Sequence, residues 1–460
     1  MEKVWNIFEN LAAIPHGSGN TKAISDHCVA YAKERGFEVL QDELNNVLIR
    51  VPATAGYENH ETVVIQGHLD MVCEKTPESN HDFEKDGLKL HREGDWLMAT
   101  DTTLGGDDGI AIAYALALLE EETPHPALEL FFTVDEETGM YGAIGFDPAW
   151  IKGRKLLNID SEDEGELTVS AAGGINVSGT VLLETEPCDT AVYEICVDGL
   201  KGGHSGAEIH RGRANANMIL GKILSGLPCR LIEMRGGQKP NVITPNATAL
   251  VAMSEPVDGH ALTELFRREY GERDPEITVT VTTATASRMM KKEVSDRIIA
   301  LLSSLPDGVQ KWSEEIDDLV ETSLNCGITE TKENTFTVLT SLRSMKNAER
   351  DALAEKVIAL MERYGAAVET NSSYPAWEYL EESSLRETVC RCYREIYGKE
   401  MKVLAIHAGL ECGLLSEKLP GLDCVSLGPD MRDIHSARER ISISSAERTW
   451  NLLKEILKAL

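Results

Sequence analysis

Five short segments concentrate the side chains able to hold a metal ion or move a proton. They are Gln66-Gly67-His68-Leu69-Asp70, Leu104-Gly105-Gly106-Asp107-Asp108-Gly109, Asp135-Glu136-Glu137-Thr138-Gly139, Asn158-Ile159-Asp160 and Asp433-Ile434-His435-Ser436-Ala437-Arg438-Glu439. In the first, an extended backbone points residues i and i+2 the same way, so Asp70 can stand beside His68. A carboxylate behind a metal-bound imidazole fixes its tautomer and raises its basicity. In the second, glycines allow close backbone approach, and the helix that follows favours carboxylates at its N-terminus. Asp107 is the candidate ligand there and Asp108 the weaker choice; a plain helix cap is the alternative. Three adjacent carboxylates in the third segment repel one another unless cations balance them. Glu136 and Glu137 can divide the work, one on a metal and one beside its water. The fourth and fifth segments add Asp160 and His435. Each of these two, taken alone, would pass for a cap or a satisfied core residue.

Together the segments suit a two-zinc hydrolase better than a structural zinc site. Structural sites are usually cysteine-rich and closed, whereas catalytic ones keep a position for water. Charge supports the choice. Two divalent ions, the carboxylates of Asp107, Glu137 and Asp160, and one hydroxide sum to zero, as a partly buried cluster requires.

The elements that must carry these residues follow from hydrophobic pattern. Apolar runs at Asn46–Val51, Thr62–Gln66, Leu128–Val134 and Lys155–Ile159 read as strands, and Lys22–Arg35 and Gly109–Glu121 as helices. Strands alternating with helices indicate an α/β sheet covered on both faces. From about residue 185 the order becomes βαββα, from Val192 to Glu269, and then βαββα again, from Ile277 to Arg363, with a last strand near Ala366–Thr370. After about residue 375 the α/β pattern resumes, with helices at Ser384–Tyr397 and Ser445–Leu460 around strands at Lys402–Ile406 and Asp423–Leu427. The expected architecture is an α/β catalytic domain with a central mixed sheet, residues 1–184 and 375–460. It is interrupted by an inserted two-lobed α+β lid domain, residues 185–374.

The chain has 460 residues, 45 Lys plus Arg against 76 Asp plus Glu, and a formal charge of −31. That charge repels nucleic acid and anionic membranes. No apolar stretch is long enough for a membrane span, and the first residues lack a signal-peptide core. The 10 cysteines are scattered without a C-x-x-C pair, which reads as reduced thiols in a cytoplasm.

The motifs GHLDMV, LGGDDGIAIA, DEETGMYGA, NIDSEDEGEL, KGGHSGAEI, HAGLECG and DIHSARER resemble those of the co-catalytic zinc peptidases, a superfamily that includes peptidase T and peptidase V. Within it the chain is most similar to the aminoacyl-histidine (Xaa-His) dipeptidases, over nearly its whole length. The resemblance implies that His68, Asp107, Glu137, Asp160 and His435 bind two Zn²⁺ per chain, with Asp107 bridging. Co²⁺ and Mn²⁺ are compatible with such ligands. It implies that Asp70 orients His68, that Glu136 is the general base, and that His204 binds substrate and supports the oxyanion. It also implies a cis peptide between Asp107 and Asp108, although some close relatives carry Asn at position 108. The inserted domain should recognise the substrate carboxylate, with Asn241 and Arg343 as candidates; Arg suits a bidentate grip. HAGLECG, with His407, Glu411 and Cys412, reads as a loop near the cleft, with a mainly structural role as the alternative, and His16 as turn chemistry. The expected substrates are dipeptides, Xaa-His and β-alanyl-histidine (carnosine) foremost. A tripeptidase, a carboxypeptidase, an N-acyl amino acid deacylase and a non-catalytic binding protein are the competing readings. Monomer and homodimer both fit, since the doubled lobes can mimic within one chain a contact made between subunits elsewhere.

Overall fold

Strands Val63–His68 and Leu128–Thr133 are buried at every position, as strands covered on both faces must be. They lie inside an eight-stranded sheet whose order is 38–41, 47–51, 128–133, 63–68, 155–158, 423–426, 166–171, 402–406. The four strands from 128–133 to 423–426 run parallel, and the flanking pairs at 38–41, 47–51 and 166–171 are antiparallel. The sheet is therefore mixed. Helix Gly106–Leu118 is apolar on every side beyond Asp108 and is buried at every position except Gly109. Its Tyr114 stacks on Trp450 with ring centroids 5.5 Å apart and donates its hydroxyl to the Ala446 carbonyl at 2.7 Å. The computed structural model describes residues 1–314 and 318–460. Among them, no helix is long and apolar enough to cross a membrane, and all ten thiols are free.

The chain divides into two units. Residues 1–170, 379–405 and 410–460 form the first; residues 171–378 and 406–409 form the second. The second begins at 171, ahead of the expected 185. Strand Gly173–Leu182 accounts for this, because it pairs with Thr335–Ser344 on one side and Ala367–Tyr374 on the other. It closes at 378 rather than 374, since Ala171 and Trp377 exchange backbone hydrogen bonds of 3.0 Å.

The elements of both expected βαββα repeats occur in that order, with short further strands at 203–204, 242–243, 288–290 and 308–312, and the two share one nine-stranded sheet. Its main path is 278–284, 192–198, 247–252, 230–236, 320–332, 335–344, 173–182, 367–374. The halves meet through a short rung in which Arg235 faces Glu330 and Gly236 faces Thr329. Thr278–Ala284, which opens the second repeat in sequence, pairs with Val192–Asp198 of the first. Local pattern cannot reveal such an exchange, because pairing partners lie far apart in the chain.

Candidate metal centre

Parallel strands in register carry their following residues to one edge, the usual place for sites in open α/β sheets. His68 ends strand Val63–His68 and stands opposite Thr133; Gln66 of the same strand stands opposite Asn158. The segments after Thr133 and Asn158 therefore bring Glu136, Glu137 and Asp160 to the level of His68. Asp107 arrives from the first turn of helix Gly106–Leu118. His435 arrives from the connection between strands Met431–Arg432 and Arg440–Ser442.

The five expected ligands converge. His68 Nε2 lies 3.1 Å from Asp107 Oδ1 and 3.7 Å from Asp160 Oδ1. His435 Nε2 lies 3.2 Å from Asp107 Oδ2 and 2.9 Å from Glu137 Oε1. Asp107 thus presents one carboxylate oxygen to each histidine. The Asp107–Asp108 peptide is cis. Asp108 joins the cluster from behind: its Oδ2 accepts the His68 N–H at 3.2 Å, and its Oδ1 has no partner among the described residues. Donor atoms of His68, Asp107 and Glu137 fall within 4.8 Å of one another, as do those of His68, Asp108 and Asp160.

Asp70 behaves differently from the simple expectation. The nearest partner of His68 Nδ1 is the Asp70 carbonyl, at 3.0 Å, and the carboxylate follows at 3.5 Å. The Asp70 carboxylate also accepts the Ser18 hydroxyl at 2.8 Å and the N–H groups of Glu136 and Glu137 at 3.1 and 3.3 Å. It ties the His68 strand to the loop of the two glutamates. His16, read from sequence as turn chemistry, is buried beside this group, with Nδ1 on the Ile14 carbonyl at 2.5 Å.

Electrostatics tests the fit to metal ions. Burial opposes a charge on His68, yet the Asp107, Asp160 and Asp70 carboxylates outweigh it and hold the ring well above the usual imidazole range. Asp107 and Glu137 push His435 up to about 11. Burial would raise Asp107, but His435 and His68 hold it below the ordinary carboxylate range. Burial, with Asp107 and Glu137 nearby, lifts Asp160 to about 6. Protonated imidazoles therefore supply the positive charge the carboxylates demand, and divalent cations meet the same demand with the same nitrogen and oxygen donors. The donor set fits. Glu136 is pushed well above the ordinary range by burial and by the Asp160, Glu411 and Glu137 carboxylates, against His68.

Two buried glutamates escaped the sequence reading as parts of the site. Glu411 Oε2 accepts from Gln66 and Thr133, both at 2.6 Å, and Gln66 in turn accepts from Asn158 at 2.7 Å. This network ties the strand positions two residues before His68 and Asp160. Glu439 accepts backbone N–H groups around Asp107. Each lies within a quoted motif, Glu411 in HAGLECG and Glu439 in DIHSARER, but nothing in the sequence says which partners its carboxylate meets.

The second unit assembles its own polar group. Strand Gly203–His204 pairs with Val242–Ile243, and the Ser205 N–H donates to the Asn241 carbonyl at 2.9 Å, so His204 and Asn241 are neighbours. His204 Nδ1 accepts the N–H groups of Gly206 and Ala207 at 3.2 and 3.0 Å. Burial and the Arg343 guanidinium hold this ring below the usual range. A neutral His204 with Nδ1 accepting carries its proton on Nε2. Arg343 is buried, donates to the Tyr374 hydroxyl at 2.8 Å, and leaves its Nε without a partner among the described residues. His407 Nε2 lies 2.7 Å from the Ser323 hydroxyl.

Comparison with known proteins adds to this geometry. The family model described as peptidase family M20/M25/M40 matches residues 64–459. The cytosol non-specific dipeptidase of Escherichia coli is 37% identical over 100% of this chain and 98% of its own length. The crystal structure of aminoacylhistidine dipeptidase from Vibrio alginolyticus is similar with a TM-score of 0.92 and 37% identity, covering 100% of this chain and 96% of that one. An aminopeptidase structure from Bacillus cereus shares the fold with a TM-score of 0.60 at 17% identity, covering 100% of this chain and 98% of that one.

Proposed function

The chain belongs to peptidase family M20/M25/M40 and is a metallopeptidase, and from that premise we propose that it hydrolyses dipeptides, Xaa-His dipeptides such as β-alanyl-histidine among them. The relatives support the substrate class: one is named a non-specific dipeptidase and another an aminoacylhistidine dipeptidase. The observation that carries the reading is the Asp107 carboxylate, with one oxygen 3.1 Å from His68 and the other 3.2 Å from His435. We assign His68, Asp107, Glu137, Asp160 and His435 as ligands of two zinc ions, and the cytoplasm as the compartment.

Bound there, two divalent ions would polarise the scissile carbonyl and acidify the attacking water. The chain's own residues supply the rest. Asp70 holds the His68 ring through its carbonyl and carboxylate, and fixes the Glu136 and Glu137 backbone through two N–H bonds. Glu136 accepts the water proton on a carboxylate oxygen and returns it to the leaving amine nitrogen. Its raised pKa favours that return. In the second unit we assign His204, whose Nδ1 accepts two backbone N–H groups and whose Nε2 carries the proton, as a substrate-binding residue. Arg343, whose Nε has no partner among the described residues, and Asn241 are assigned to the substrate carboxylate.

The test is a substrate panel on purified protein: carnosine, Leu-Gly, a tripeptide and an N-acetyl amino acid, before chelation, after it, and after zinc is returned. The expected result is cleavage of both dipeptides, lost on chelation and restored by zinc. Faster turnover of the tripeptide or the N-acetyl amino acid would move the assignment to a tripeptidase or a deacylase. Bound zinc with no turnover at all would indicate a binding protein.

A further inference from the structure

Glu439 is almost fully buried and gathers four consecutive backbone N–H groups. Its Oε2 accepts from Leu104 at 2.7 Å and Gly105 at 3.1 Å; its Oε1 accepts from Gly106 at 2.8 Å and Asp107 at 3.3 Å. The turn that aims these groups inward has Gly105 in the left-handed region, φ 65°, and leads into helix Gly106–Leu118. Successive N–H groups of this kind form a concavity for an anion. Here the anion belongs to the chain. Of the other buried glutamates, Glu321 faces Lys311 at 2.7 Å and Glu129 faces Arg50 at 3.7 Å, while Glu411 is met by the neutral Gln66 and Thr133 side chains. Glu439 has no such ion pair among the described residues.

Its location gives the arrangement a purpose beyond folding. The last N–H it holds is that of Asp107, the residue whose carboxylate spans His68 and His435. Glu439 also shares the 433–439 connection with His435. One short segment therefore provides a histidine and a clamp on the carboxylate which that histidine meets. We propose that Glu439 is a positioning residue for metal binding: by gathering the Leu104–Asp107 N–H groups it fixes the Asp107 backbone, so that the carboxylate stands between the two histidines. The proposal rests on the reading of this cluster as the metal centre.

A carboxylate is required, because only acceptors can meet four donors. A glutamine would turn its amide NH2, a donor, toward two of the N–H groups, and an aspartate would fall one methylene short. The experiment uses the full chain with E439Q and E439D. Zinc affinity is read by competition with a chromophoric chelator, geometry by the absorption spectrum of the cobalt-loaded protein, and kcat and KM on one dipeptide. Thermal unfolding is followed in parallel. E439Q should bind zinc about 10–100-fold more weakly, the usual effect of removing a group that orients a ligand. Its cobalt spectrum should change, and kcat should fall with KM nearly constant. E439D should lie between E439Q and wild type. A folded E439Q with wild-type zinc affinity and cobalt spectrum, whatever its melting temperature, would overturn the proposal and leave Glu439 a staple of the fold. If E439Q does not fold, E439D decides by the same two readouts, and wild-type values there overturn it. Wild-type protein that binds no metal would overturn the metal-centre reading first, a separate result.

Discussion

Glu136 and Glu137 are identical neighbours made different by their surroundings. Both offer their N–H groups to Asp70. The Glu137 carboxylate then reaches His435 at 2.9 Å, whereas that of Glu136 has no hydrogen-bond partner among the described residues and is raised by burial and adjoining carboxylates. A group that must take a proton and give it back is served by that isolation; a ligand is served by the contact. Glu136→Gln should therefore lower kcat by about 10²–10⁴-fold while zinc content, measured by atomic absorption, stays at the wild-type level. Full turnover would reject the role, and loss of zinc would make Glu136 a ligand instead. At this scale much of the site was legible, but only in combination: a histidine two residues before an aspartate passes for an ordinary strand-end pair, and adjacent acids for a solvated turn, until five such segments occur together. Glu439 was not legible. Its partners are backbone groups, which carry no residue identity, and they lie over three hundred positions away.

The elements set the distances between these residues, and one close approach matters most. Gly67 sits where strand Val63–His68 passes helix Gly106–Leu118. A Cβ at Gly67 would fall 2.4 Å from Asp108 Oδ2 and 2.6 Å from Ala111 Cβ. Any side chain there must push the helix carrying Asp107 away from the strand carrying His68. Gly67→Ala should cost about 1–3 kcal/mol of stability, as overpacking does, in denaturant unfolding. It should also weaken zinc binding in the chelator competition. Unchanged stability and affinity would mean that helix and strand can separate without cost to the site. The strand and the helix were both readable from apolar runs, and their ends shifted by only a few residues. What could not be read was which strands pair. Gly173–Leu182 was not singled out as a strand, although Ile175, Val177 and Val181 alternate with polar residues, and it lies beside the edge strand of the second unit's sheet. Register and neighbour depend on residues distant in the chain, and local periodicity does not contain them.

The whole molecule carries a formal charge of −31, and acidification acts on that charge and on individual buried groups in opposite directions. Protonating surface carboxylates relieves self-repulsion and favours the folded state. A histidine buried in its neutral form does the reverse. His407, in the second unit, is pushed down to about 3 by burial first and by the Arg343 guanidinium next, with His210 a smaller influence of the same sign; the Val320 backbone opposes them. Its unfolded value is near 6.5. The native state thus binds fewer protons than the unfolded chain between these values. The stability due to a neutral His407 is complete above about pH 6.5 and is lost as pH falls toward 3. By pH 4.5 the loss should be about 2–3 kcal/mol, two pH units at about 1.4 kcal/mol each. Wild-type protein alone cannot isolate it, because the carboxylates titrate as well. His407→Gln keeps a polar group near the Ser323 hydroxyl and removes the titration. At pH 7 the variant should be the less stable, since it replaces a fitted side chain. By pH 4.5 that deficit should shrink or reverse. Hydrogen exchange in strand Val320–Lys332, which contains Ser323, reads this in the second unit directly. Protection falling in parallel for both proteins from pH 7 to 4.5 would show that another group governs the acid response.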